Sequence, residues 1–271
     1  MKTILLPTDF SPSAHWASDY AIQLALFANA RLVLLHIYDP LVAMGLDGDW
    51  LGRETQKQYD QAIRQLGDLR SRLVHQVKGD VMVSVVARSG LRASVIEEEV
   101  VNQQADLLVM GLVGDEPRRA REEGSLATDL IPRTQVPMLL IPPGSRFKTP
   151  RNIVLALDLA QPLNLLALDT ARQFARLFGA TLDMICVEDE PGPDLQQAAV
   201  HVRSLLQNDP HTFQFLSGYD LPLALDAYFA DHRADLIMLL PKPHSWLRTL
   251  LLESVTQETA RVASIPVLAA V

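Results

Sequence analysis

Two short segments of the chain carry residue types that could grip a phosphorylated ligand. One is Pro7-Thr8-Asp9-Phe10-Ser11; the other runs Met110-Gly111-Leu112-Val113-Gly114 and, nine residues later, Gly124-Ser125-Leu126. Glycines allow backbone N–H groups to close around an anion without Cβ obstruction. A helix opening near Ser125 would add unpaired N–H groups and a partial positive charge, and Ser125 itself a hydroxyl donor. Asp9 could accept hydrogen bonds from a ribose or from an adenine amino group. Its structural alternative is to cap the turn into the following helix.

Other candidates weigh less. The spacer Asp115–Glu123 holds three arginines that could neutralise phosphate and four carboxylates that would oppose it unless magnesium bridged them. A solvated, self-paired loop is the favoured reading, and Glu122 and Glu123 stand closest to the phosphate end. His36 falls in an expected buried strand and reads as a satisfied core residue. The acidic run Glu188-Asp189-Glu190 reads as a solvated loop rather than a cation site. Cys186 is the sole cysteine, so neither an intrachain disulfide nor a cysteine-based zinc site can form. No H-E-x-x-H, G-x-S-x-G, G-x4-G-K-[S/T] or G-x-G-x-x-G occurs, and no nucleophile stands beside a base. A binding protein is therefore expected rather than an enzyme, since hydrolysis would rest on slow attack by positioned water.

The elements that must hold these segments follow from periodicity. Continuously apolar runs near 2–8, 31–37, 81–87, 106–110 and 137–141 predict strands covered on both faces. Ala14, Ala17, Ala21, Leu24, Ala25 and Ala28 repeat at helical spacing behind Ser11-Pro12, a capping hydroxyl and a first-turn proline. A second helix is expected over 53–77, burying Tyr59, Ala62, Ile63, Leu66, Leu73 and Val77. Strands alternating with helices imply an α/β fold with a doubly wound, mostly parallel sheet. In such sheets ligands sit beyond the carboxyl ends of strands where the strand order reverses, which is where both segments fall.

The chain also repeats itself. Ile4–Asp9 returns as Ile153–Asp158, Ala105–Met110 as Ala234–Leu239, and Val136–Leu139 as Ile265–Leu268. A helix burying Leu163, Leu166, Ala167, Thr170, Ala171, Phe174 and Phe178 follows in the second copy. Two domains, 1–143 and 151–271, are expected, joined by the Pro- and Gly-rich stretch up to Pro150, in which only Phe147 could reach a core. At the offset of the last two matches Gly111 becomes Leu240, Gly114 becomes Pro243 and Gly124 becomes Glu253, while Ser125 is kept as Ser254. Proline lacks an N–H and Glu253 would repel phosphate, so the second copy is expected to hold no nucleotide through this loop.

Composition bounds the partners. With 24 Lys+Arg against 32 Asp+Glu, the net charge of −8 disfavours nucleic acid. No apolar run is long enough to cross a bilayer, and the polar residues that follow MKTILLP argue against a signal peptide. A cytoplasmic protein is expected.

The spacing G-x2-G-x9-G-[S/T], carried by Gly111, Gly114, Gly124 and Ser125, resembles the nucleotide loop of the universal stress protein family. PTDFS at Pro7–Ser11, LLHIYD at Leu34–Asp39 and the strand after Val136 are similar to it as well. The resemblance implies two tandem Rossmann-like domains, each with a five-stranded sheet, the first binding ATP, with ADP or AMP as alternatives and Mg2+ as a companion. It implies adenine against Ile37, with Pro7, Thr8 and Asp9 alongside, and Met110 near the sugar or base. The triphosphate would lie along Gly111, Leu112 and Gly114 and along Gly124, Ser125 and Leu126. The terminal strands would pair the halves about a pseudo-twofold axis, and a homodimer and a protein partner are further expectations. A nucleotide-free interaction protein with both loops vestigial, or a slow ATPase, are the alternatives.

Overall fold

The computed structural model describes residues 1–39, 48–112, 126–218, 221–240 and 264–271. In the first half, β1 (Thr3–Pro7), α1 (Pro12–Ala28), β2 (Arg31–Tyr38), α2 (Gly48–Gln76) and β3 (Val83–Ser89) follow one another. α3 (Arg92–Asn102), β4 (Leu107–Gly111), α4 (Leu126–Leu130) and β5 (Met138–Ile141) complete it. The second half runs β6 (Asn152–Ala156), α5 (Leu165–Phe178), β7 (Thr181–Val187), α6 (Pro193–Leu205) and β8 (His211–Leu216). It ends with α7 (Leu221–Asp231), β9 (Leu236–Leu239) and β10 (Val267–Ala269).

All ten strands form one sheet in the order β3-β2-β1-β4-β5-β10-β9-β6-β7-β8. Among the described residues every pairing is parallel except the central one, where β10 runs antiparallel to β5 with Leu268 opposite Leu139. The second half thus repeats the strand order of the first, and the terminal strands join the halves as expected. Strands this apolar must be covered on both sides, and two cores do so. One joins α1, α2, α5 and α6 to one face; the other joins α3, α4 and α7 to the opposite face.

Capping fixes the helix ends. The Ser11 hydroxyl accepts from the Ala14 N–H at 3.2 Å with Pro12 in the first turn, and Asn29 closes α1 in the left-handed region at φ 50°. In the second half Asn164 caps α5 and Gly179, at φ 64°, ends it. The repeated Ala-Asp pair also has a physical cause. Asp106 Oδ2 accepts the N–H groups of Lys2 and Thr3, and Asp235 Oδ2 accepts those of Arg151 and Asn152. Each aspartate staples the start of its half's first strand to the strand beside it.

Phe147 anchors the connecting segment: its ring meets Tyr20 at 5.3 Å and Phe27 at 6.0 Å on α1, and Phe178 at 6.5 Å on α5. Burial, reinforced by the Asp235 charge, pushes the Tyr20 hydroxyl well above its ordinary range. At the edge of the first half, Glu99 is only 1 % exposed. Burial alone would raise its pKa, but hydrogen bonds from Gln103, Asn102 and Arg88, with the Arg88 charge, outweigh burial and hold it below the usual carboxylate range.

Two expected core positions lie outside the core. Tyr59 is 40 % exposed because α2, at 29 residues, is about 44 Å long while β3, at 7 residues, spans about 23 Å. Its first buried position is Ala62, so the N-terminal turns overhang the sheet. Leu166, 72 % exposed, lies in the first turn of α5.

Candidate functional site

Sequence order reverses between β1 and β4, which are parallel neighbours with Leu5 opposite Leu108. Their carboxyl ends therefore frame the crevice in which a doubly wound sheet accepts ligands. Pro7, Thr8 and Asp9 leave β1 there, and Met110, Gly111 and Leu112 leave β4. Ile37 lies near the end of the adjoining β2. Ile37, Met110 and Leu112 share one core face, against which Leu126 at the start of α4 also packs. The structure thus brings eight expected residues to one end of the first half. Gly114, Gly124 and Ser125 lie outside the described residues, as do Pro243, Glu253 and Ser254 of the second half and the Asp115–Glu123 spacer.

The turn after β1 is tied down by its own polar groups. The Thr8 N–H donates to the Leu35 carbonyl at 2.8 Å, Thr8 Oγ1 accepts from the Phe10 N–H at 3.0 Å, and Asp9 Oδ1 accepts from the Ser11 N–H at 3.0 Å. Asp158 closes the equivalent turn, accepting from the Ala160 N–H at 3.1 Å. The capping reading therefore applies to both aspartates. The exposed Asp9 side chain has a second oxygen with which to meet a ligand.

Gly111 has a reason to be glycine that its sequence does not announce. A Cβ there would stand 2.6 Å from Ser13 Oγ and 3.1 Å from the Ser13 backbone carbon and oxygen. The first turn of α1 occupies the space a side chain would need. Ser13 is 5 % exposed, and its hydroxyl has no hydrogen-bond partner among the described residues. A glycine ending a strand signals that something approaches closely; it does not say what, which is why Ser13 escaped sequence reasoning. At the matching end of β9 stands Leu240, buried at 4 % exposure.

A helix begins at Leu126, as expected, and runs to Leu130. One expectation needs correction. His36 is half-buried rather than enclosed in the core; its Nδ1 lies 2.8 Å from the Thr8 carbonyl and its ring 4.5 Å from that of Phe10. The acidic run after β7 is partly engaged, with Asp189 accepting from the Gly218 N–H at 2.7 Å. Among the described residues no group of three or more His, Cys, Asp or Glu side chains could hold a metal ion, and no helix is long and apolar enough to cross a membrane.

A doubly wound α/β sheet with a polar turn and a glycine-ended strand at its switch point defines a class of ligand-binding fold. Comparison with known proteins narrows it: the universal stress protein family model matches residues 1–142, and the chain belongs to that family. A universal stress protein of Methanocaldococcus jannaschii is 24 % identical over 144 residues, covering 52 % of this chain and 81 % of the relative. A universal stress protein structure from Archaeoglobus fulgidus covers 99 % of this chain and 95 % of its own, with 16 % identity and a TM-score of 0.68. A putative universal stress protein structure from Pseudomonas aeruginosa covers 99 % and 92 %, with 14 % identity and a TM-score of 0.58. These structural likenesses extend the shared fold across both halves.

Proposed function

We propose that the protein binds an adenine nucleotide, ATP in the first instance, in the crevice between β1 and β4, and acts as a regulatory stress protein rather than an enzyme. The observation that carries this reading is the convergence of Thr8, Asp9, Met110 and Gly111 at the switch point from which the G-x2-G-x9-G-S segment departs. Asp9 would accept from the ribose or the adenine amino group, and Ile37, Met110, Leu112 and Leu126 offer apolar surface to the base and sugar. N–H groups from Gly111 to Gly114 and from Gly124 to Leu126 would hold the phosphates, with Mg2+ neutralising the carboxylates between them.

The chain would comprise two units, 1–143 and 151–271, with the second unliganded at this loop. Leu240, buried where the first half has glycine, supports that asymmetry. A nucleotide would act by engaging the Asp115–Glu123 segment and changing the surface shown to a protein partner, a shift limited by its differential affinity for the two states. Homodimerisation and a cytoplasmic location complete the proposal.

Mass spectrometry of protein purified without added nucleotide tests the reading directly, and thermal denaturation quantifies it. Nucleotide at 100 times its dissociation constant should stabilise the fold by about 2.7 kcal/mol. Melting curves unmoved by ATP, ADP and AMP would exclude it.

A further inference from the structure

We propose that His36 is the positioning residue of this crevice, holding the Thr8–Ser11 turn in the one conformation that presents Asp9 to the ligand; the inference rests on the nucleotide-binding reading above. Phe10 has a φ of 62°, in the left-handed region that β-carbon-bearing residues seldom occupy. Such a turn persists only where its surroundings over-determine it.

The bonds inside the turn, Thr8 Oγ1 to the Phe10 N–H and Asp9 Oδ1 to the Ser11 N–H, are local. His36 reaches it from the neighbouring strand and holds both sides of Asp9. Its Nδ1 lies 2.8 Å from the Thr8 carbonyl oxygen, and its ring lies 4.5 Å from the Phe10 ring at a tilt of 38°. A carbonyl only accepts, so Nδ1 must carry a proton.

The second half supplies the control. In the paired registers Cys186 of β7 takes the place of His36, and Leu159 takes that of Phe10. Asp158 still closes its turn on the Ala160 N–H, and Leu159 is not among the residues with positive φ. An aspartate turn therefore forms at this strand end with a cysteine in place of the histidine ring and without a left-handed residue. What the clamp adds is the left-handed Phe10 and a fixed Asp9, in the half that also carries the glycine loop. A general requirement of the fold would have kept it in both halves.

The test uses the full chain. His36→Phe keeps a ring for Phe10 and removes the donor; His36→Asn keeps a donor near the Nδ1 position and removes the ring. Calorimetric titration with ATP should show affinity falling about tenfold in His36→Phe, the scale of one lost hydrogen bond in a partly buried site. Part of that loss should return in His36→Asn. Nitrogen-15 NMR of the nucleotide-free wild-type chain, under conditions where the ring is neutral, should find the proton on Nδ1; this needs no variant to fold. Wild-type affinity in His36→Phe, no recovery in His36→Asn, or a neutral ring protonated at Nε2 each overturns the inference alone. Absence of ATP binding by the wild-type chain overturns instead the reading on which it rests.

Discussion

The two halves of the sheet share a strand order and diverge at one strand end. β4 finishes on Gly111, with α1 pressed against it through Ser13; β9 is followed by the buried Leu240. The helices reflect this. α1 makes close backbone contact with β1, β2, β4 and β5, whereas α5 does so chiefly with β7. Residues 8–11 separate β1 from α1, but residues 157–164 separate β6 from α5, the longer lead allowing the second helix to begin further off. A glycine at the end of β4 thus serves helix packing as well as any ligand. Losing it reshapes the sheet edge as well as the proposed anion cradle.

Exchanging residues between the halves should break this comparison most sharply. Gly111→Leu copies the second half and drives a side chain into Ser13; overpacking of about 3 kcal/mol is expected, read as a fall in denaturation midpoint, together with loss of the ATP response. Close to that in size, Phe147→Ala removes the ring between Tyr20, Phe27 and Phe178. A half-buried aromatic should cost about 2–3 kcal/mol, and calorimetry should show the single transition broadening as the halves uncouple.

Gly124→Glu, which copies Glu253, should leave the nucleotide-free midpoint within a degree or two while abolishing the roughly 2.7 kcal/mol of stabilisation by saturating ATP. Retained stabilisation would show that a carboxylate at this place does not silence a loop.

Glu99→Gln sharpens the contrast between the lateral ends of the sheet, since Tyr228 of α7 occupies the matching place in the second half. The folded-state pKa of Glu99 is depressed, so its ionised form stabilises above the unfolded carboxylate pKa, and that stability is lost as pH falls through the folded value. At neutral pH the variant should be about 1–2 kcal/mol less stable. The gap should close on acidification, and a gap independent of pH would reject the assignment. Smallest is Ser13→Ala, which removes a buried hydroxyl unpartnered among the described residues and should raise stability by up to about 1 kcal/mol in chemical denaturation. A loss would mean the hydroxyl has a partner after all.

Much of this was legible in the residues. Strands buried on both faces read as unbroken apolar runs, so β1 to β5 lie within two residues of their expected limits. Helix faces were less secure. Tyr59 has helical spacing, but whether a turn is covered depends on how far the sheet beneath it extends, a tertiary length that periodicity does not encode. The repeated Ala-Asp pairs were visible as a repeat, yet their role as double acceptors for strand starts appears only when β1 and β4, or β6 and β9, are laid side by side. At the crevice, residue types pointed to Asp9 and Gly111. Their neighbours Ser13 and His36 are brought in by α1 and β2 and have no local signature.

The antiparallel seam between β5 and β10 has a geometric consequence for the whole molecule. Because every strand of one half points against those of the other, their carboxyl ends open on opposite rims of the sheet. The β1–β4 and β6–β9 gaps are also offset sideways by about four strand spacings, or roughly 19 Å. No single small ligand can touch both rims, so mutation could dismantle one recess while leaving its twin intact. A partner reading both would have to wrap around the slab.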